Sequence, residues 1–194
     1  MKKFWMMAAI LAACNGSNTT SALVEGSQIP AGAIVQDYTS IPGLQRATIV
    51  SDGITLGEGD FLNGLHQGTW TTYDLSGKVV SITTYLEGKK QGVSLSFDNS
   101  GYVETKAYYH QDQLDGEYLV YKRRNIVERR NYSGGMLNGL QQKYYVNGTV
   151  MEESNYVDNK IDGVAKWYDQ EGNLTIQYTY KMGELVEDDT SSGN

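Results

Sequence analysis

Two histidines, one cysteine and scattered carboxylates are all that this chain offers to acid–base, nucleophilic or metal chemistry, and their spacing suits none of it. His66 and His110 map to turns two repeats apart on one edge of the expected sheet, roughly 20 Å by strand spacing, too far to share a metal or a proton. Asp112, Asp115 and Glu117 read first as turn formers. The sequence holds no Gly-x-Ser-x-Gly elbow, no phosphate loop and no Cys/His nucleophile pair. The expectation is a protein that is not an enzyme and takes no metal or organic cofactor. Recognition chemistry is better supplied, with 15 tyrosines, three tryptophans and three phenylalanines. Trp70 and Trp167 stand off the regular tyrosine positions, and with Tyr121, Tyr144 and Tyr168 they are the candidate partner contacts, suited to a peptide or a glycan. The competing reading is that the tyrosines are the structural core of their own thin sheet. Lys122, Arg123, Arg124, Arg129 and Arg130 form the one basic concentration, able to meet phosphate, lipid head groups or an acidic partner. The first three fall at a hairpin tip and read as a solvated turn, while Arg129 and Arg130, being adjacent, must point to opposite faces.

The extreme N-terminus carries an address. Lys2 and Lys3 precede an apolar run from Phe4 to Leu11, too short to span a bilayer and of the form of a signal peptide covering residues 1–13. Leu11-Ala12-Ala13-Cys14 resembles the bacterial lipobox at all four positions, and the only cysteine of the chain falls where that motif needs it. The resemblance implies cleavage before Cys14 and its acylation, with chains such as palmitate; several chains give a stable membrane anchor where one gives a marginal one. Residues 14–29 then form a lipidated, polar tether. Asn15 lacks the aspartate associated with inner-membrane retention, which favours the outer membrane of a cell envelope. The formal charge of -7 becomes -9 once Lys2 and Lys3 are removed, which argues against nucleic acid as a partner.

The elements that must position the aromatic residues repeat every 24 residues. Gly68, Gly92, Gly116, Gly139 and Gly163 head five units, one of them shortened to 23. Gly77, Gly101, Asn125, Gly148 and Gly172 follow each by nine. Aromatics keep the beat at Tyr73, Phe97, Tyr121, Tyr144 and Tyr168, and again at Phe61, Tyr85, Tyr109, Tyr132, Tyr156 and Tyr180. Two short strands and two turns use up the period, so the expectation is all-β: an elongated antiparallel meander of repeated hairpins, with a parallel β-helix as the rival. Glycine at the head of each first strand leaves space over which a neighbouring ring can lie. Val79, Val103, Val127, Val150 and Leu174 sit at an even spacing from the next aromatic in four of five units, which places both on one face. One residue is missing between Val127 and Tyr132, so the register there needs correction by a bulge or its loss.

Residues 30–50, holding Pro30 and Pro42, read as an irregular N-terminal cap, 51–185 as the repeat domain and 186–194 as an acidic disordered tail. Gly68-x-Trp70-x-x-Tyr73-x-x-x-Gly77 with Tyr85-x-x-Gly88, and the copies of both, resemble the MORN repeat variant of bacterial proteins labelled YwqK-type antitoxins. The resemblance covers about residues 50 to 185 and implies β-hairpins laid side by side in an elongated sheet that serves as a scaffold or binding platform. The expected function is that of a non-enzymatic, lipid-anchored envelope protein binding a protein or glycan. The alternative is an antitoxin or immunity protein that neutralises a toxin at the envelope.

Overall fold

The computed structural model describes residues 26–189. The expected signal peptide, Cys14, the first part of the expected tether and the last five residues of the expected tail lie outside the described residues.

Every regular element among the described residues is a strand. The N-terminal group is β1 (Ile34–Asp37), β2 (Leu44–Ser51) and β3 (Ile54–Leu62). The repeats follow as β4 (Leu65–Tyr73), β5 (Val79–Leu86), β6 (Lys89–Phe97), β7 (Val103–His110), β8 (Gln113–Lys122) and β9 (Asn125–Ser133). Beyond them come β10 (Met136–Leu137), β11 (Gly139–Tyr144), β12 (Val150–Val157), β13 (Lys160–Ile161), β14 (Gly163–Tyr168), β15 (Leu174–Lys181) and β16 (Glu184–Asp189). They form one 16-stranded sheet in which neighbours in sequence are neighbours in space, with the short β10 on β9 and β13 on β12. Every pairing is antiparallel, which establishes the meander over the β-helix.

Two kinds of turn alternate along the sheet. On one edge, tight turns place Glu87, Asp158 and Met182 at positive φ, followed by Gly88, Asn159 and Gly183, also at positive φ, the left-handed pair that a two-residue hairpin needs. These turns stack: the amide of Gly88 donates to His66 O at 2.9 Å, Asp112 to Lys90 O at 3.0 Å, Gly135 to Leu114 O at 2.8 Å and Gly183 to Ile161 O at 2.8 Å. On the other edge, Asp74, Asp98 and Asp169 each fold a longer turn around their carboxylates, Asp74 taking the amides of Ser76 and Lys78 at 2.8 and 3.0 Å. The hydroxyl of Ser76 beside it holds the Asp74 carboxyl below its ordinary range.

The glycines that head the first strands do face the aromatics: Gly68 pairs with Tyr85, Gly92 with Tyr109, Gly116 with Tyr132 and Gly163 with Tyr180. At Gly68 and Gly163 room for a ring is not what the glycine supplies, since a Cβ there would meet nothing within 4 Å, whereas a Cβ on Gly116 would meet Tyr108 Cβ at 3.4 Å. Gly68 and Gly163 stand at φ of +72° and +107°, at breaks in the register that left-handed backbone makes possible.

A second register shift follows each longer turn. Tyr73 pairs with Val79 but Thr72 with Ser81, leaving Val80 as the extra residue, and the same happens at Phe97, Tyr121, Tyr144 and Tyr168. This corrects two expectations. The bulge reverses the alternation between Val79 and Tyr85, so these two residues face opposite ways despite their even spacing. The residue missing from the shortened unit is lost from the turn, because Tyr121 pairs with Ile126, and Ile126 is the counterpart of Val79.

The sheet also runs past the limits read from the sequence. Residues 34–37 and 44–50 of the expected irregular cap lie in paired strands, and both prolines fall in the connections outside them. Residues 186–189 belong to β16, paired with β15, so the ordered sheet takes in the start of the acidic tail.

Apart from Leu119, the buried strand residues share one face: Val35, Ala47, Phe61, Trp70, Thr83, Ala107, Gln141, Ser154 and Ala165. Most are small because among the described residues no second layer covers them; the rings of neighbouring rows do. At the N-terminal end alone a strap, residues 26–33, folds over this face. Ile29, Ala33, Val35, Ala47, Phe61 and Trp70 form a cluster there, and Phe61 is completely buried, a gain of about 1.5–3 kcal/mol.

Candidate binding surface

Register divides the aromatic residues into two rows on opposite faces. Phe61, Tyr85, Tyr109, Tyr132, Tyr156 and Tyr180 lie on the buried face near the tight-turn edge. Tyr73, Phe97, Tyr121, Tyr144 and Tyr168 lie on the other face beside the longer turns, two strands apart and so about 10 Å from one to the next. All five of these are half-buried. Their hydroxyls are anchored where a carboxylate or amide is in reach: Tyr73 Oη donates to Glu58 Oε1 at 2.7 Å, Tyr168 Oη to Glu153 Oε1 at 2.7 Å and Tyr144 Oη to Gln142 Oε1 at 2.8 Å. Burial, reinforced by the Glu153 bond, pushes the Tyr168 phenol up to about 12. These bonds fix ring orientation while leaving one flank of each ring to solvent.

The five candidate contacts are therefore not one site. Tyr121, Tyr144 and Tyr168 share the open face. Trp167 lies on the opposite face, half-buried and edge-on to Tyr178 with centroids 5.8 Å apart. Trp70 is corrected outright: at 8% exposure it is a core residue. It lies across Gly57 and Gly59, edge-on to Phe61 at 5.5 Å, and a partner could not reach it without opening the fold. The pair Gly57 and Gly59 was the sequence signal that a large side chain must lie over β3.

His66 is likewise structural. Its ring stacks on Tyr85 at 4.6 Å and tilts against Phe61 at 4.3 Å, and its Nδ1 lies 3.1 Å from Gln28 Oε1 of the strap. Burial holds its pKa below the ordinary value. His110 sits at the end of β7 against Gln91, three strand spacings or roughly 14 Å away, closer than turn counting gave. Among the described residues no three His, Cys, Asp or Glu side chains converge on a metal-sized site.

The basic concentration separates as adjacency requires. On the buried face Arg130 is gripped by Glu128, Nε to Oε1 and Nη2 to Oε2 both at 2.8 Å, and it lies over the Tyr118 ring. On the open face Arg129 has its Nε 3.2 Å from Glu117 Oε1 without the alignment of a hydrogen bond. Arg124 rests on the Tyr102 ring at 5.6 Å. Arg124 and Arg129 line a hollow of about 370 Å³ with Tyr144, Val146, Asn147 and Gly148. Lys122, Arg123 and Arg124 are exposed at the tip, as expected of a solvated turn, and the tip is short by one residue and has lysine where other tips have aspartate.

Three segments, residues 67–87, 137–158 and 161–182, match the MORN repeat variant family. The first begins inside β4 and the other two at the ends of β10 and β13, and each ends in a tight turn, so the family's unit is the hairpin described above, and the chain carries MORN-type repeats. No curated protein matches the chain.

Proposed function

We propose that this is a non-enzymatic, lipid-anchored protein of the bacterial cell envelope whose repeat sheet binds another macromolecule. MORN-type repeats commonly serve as protein-binding or scaffold modules, which supports the binding part of the reading. The observation that carries it is the row Tyr73, Phe97, Tyr121, Tyr144 and Tyr168, half-buried on a face that no second layer covers among the described residues. A fully covered ring buries about 150–250 Å²; covering the part of one half-buried ring still open gives roughly 50 Å², on the order of 1 kcal/mol. Several rings in a line then suffice for a specific contact without a pocket. The anchor rests on the lipobox-like Leu11-Ala12-Ala13-Cys14, and the outer membrane on Asn15.

The test is affinity capture from intact envelope with mass spectrometry, comparing the native chain with a Tyr144→Ala/Tyr168→Ala variant that keeps its β-sheet circular dichroism. The expected result is one membrane-associated partner recovered by the native chain and lost by the variant. Equal recovery by both removes the aromatic row from the function. A native chain found only in soluble fractions removes the envelope.

A further inference from the structure

We propose that the hollow between the β8–β9 and β11–β12 tips is a docking site for an acidic peptide segment of a protein partner. This rests on the binding-platform reading and specifies the partner's chemistry.

The hollow exists because one tip is short. Phe97 and Val103 are paired across a five-residue turn, as are Tyr144 and Val150, but Tyr121 and Ile126 are paired across four, with Lys122 facing Asn125. A short tip between two longer ones leaves a notch, and Arg124 and Arg129 border it with Tyr144 and Val146. Val146 is 74% exposed, an apolar contact that none of the described residues covers.

The charge of the notch reverses that of the other tips. Asp74, Asp98 and Asp169 head the turns of their repeats; the two turns that flank the hollow begin with Lys122 and Tyr145. Arg129 faces a single carboxylate in poor alignment, unlike Arg130 with its two-pronged grip on Glu128, and Arg124 meets a ring. In a chain of net charge -7, this is where an anion is attracted.

The donors left over select the anion. Compact phosphate sites draw on free backbone amides, but here Gly148 N donates to Tyr145 O at 2.9 Å and Thr149 N to Asn147 Oδ1 at 3.0 Å, both within the turn. The hollow instead offers two planar guanidinium groups beside an aromatic ring and a valine. That combination suits carboxylates spaced along an extended chain, with its backbone lying across the apolar groups.

The experiment uses the full chain in non-ionic detergent and a fluorescein-labelled peptide of alternating Glu and Gly, followed by anisotropy. Its Gln-for-Glu counterpart, inorganic phosphate and phosphatidylglycerol vesicles serve as competitors. The expected result is binding that weakens with salt, falls roughly tenfold in Arg124→Gln and disappears in Arg124→Gln/Arg129→Gln. Lys89→Gln, on the opposite edge, should bind as the native chain does. Because Arg124 is at an exposed tip, its single variant keeps the test valid even if Arg129→Gln perturbs folding. The proposal is overturned by no binding of the Glu peptide, by equal binding of the Gln peptide, by an unchanged Arg124→Gln, or by displacement of the peptide by phosphate or vesicles. A partner captured from envelope through Tyr168 and indifferent to Arg124→Gln overturns the acidic-peptide assignment alone and leaves the platform reading in place.

Discussion

Gly59→Ala adds one methyl group, and backbone geometry puts it on Trp70 Cε3, with Thr69 O at 2.9 Å and Trp70 Cα at 3.1 Å. Gly59 and Trp70 are directly paired, so neither can slide aside without breaking the β3–β4 register. The indole is held in turn by Phe61 at 5.5 Å and His66 at 5.2 Å. Overpacking of this kind costs about 1–3 kcal/mol, and the upper half is expected because two of the three contacts are backbone. Trp70→Ala removes a core side chain and costs about 3–5 kcal/mol. In the double variant the methyl no longer meets the indole, so the combined cost should fall short of the sum by about 1 kcal/mol or more. Urea unfolding followed by circular dichroism gives the cycle, and hydrogen exchange gives its location. Each hairpin touches only its neighbours, so protection should drop in β2–β5 and hold in β14–β15. Additive costs, a Gly59→Ala variant within about 0.5 kcal/mol of native, or a loss spread evenly along the chain would refute the reasoning.

Gly116→Val places a branched residue at φ +107° with Tyr108 Cβ at 3.4 Å, and should cost about 1–3 kcal/mol, local to β7–β9 by hydrogen exchange. Lys122→Ala at the neighbouring tip should stay within about 0.5 kcal/mol of native, and equal losses in the two variants would contradict a modular sheet. Burial holds the pKa of His66 below 6.5, so between the folded value and 6.5 the unfolded chain binds more protons. Stability is therefore complete above 6.5 and declines as pH falls through that window. Exchange at the Gln28 and His66 amides should quicken on acidification, and His66→Phe should abolish the dependence. Cys14→Ala should move the protein from membrane to soluble fractions, and an unmodified Cys14 by mass spectrometry would remove the anchor.

The meander was legible because two kinds of turn residue recur at opposite ends of every strand, which only hairpins require. What the period concealed was the bulge. Counting residues from Val79 to Tyr85 gives an even number and hence one face, but a bulge leaves composition and spacing untouched while turning the chain over. The same blindness moved the missing residue of the shortened unit from its turn into its strand. Trp70 was misjudged for a related reason: its neighbours across the sheet, Gly57 and Gly59, precede the region where the repeat is regular, so the period alone did not mark them as its seat.

The basic tip shows how a repeat can carry function through its departures. Four features are unremarkable when taken singly: a turn short by one residue, a lysine where other tips have aspartate, a tyrosine at the next, and an arginine on the open face. In a monotonous sheet all four fall within two adjacent hairpins. The first makes the notch, the second and third strip it of carboxylate, and the fourth gives it charge beside Tyr144. The regular positions hold the lattice together by stacked turns and facing rings, so a change there disturbs pairing. An exposed tip is free of that constraint, which makes it the place where a binding preference can be written into this fold at little structural cost.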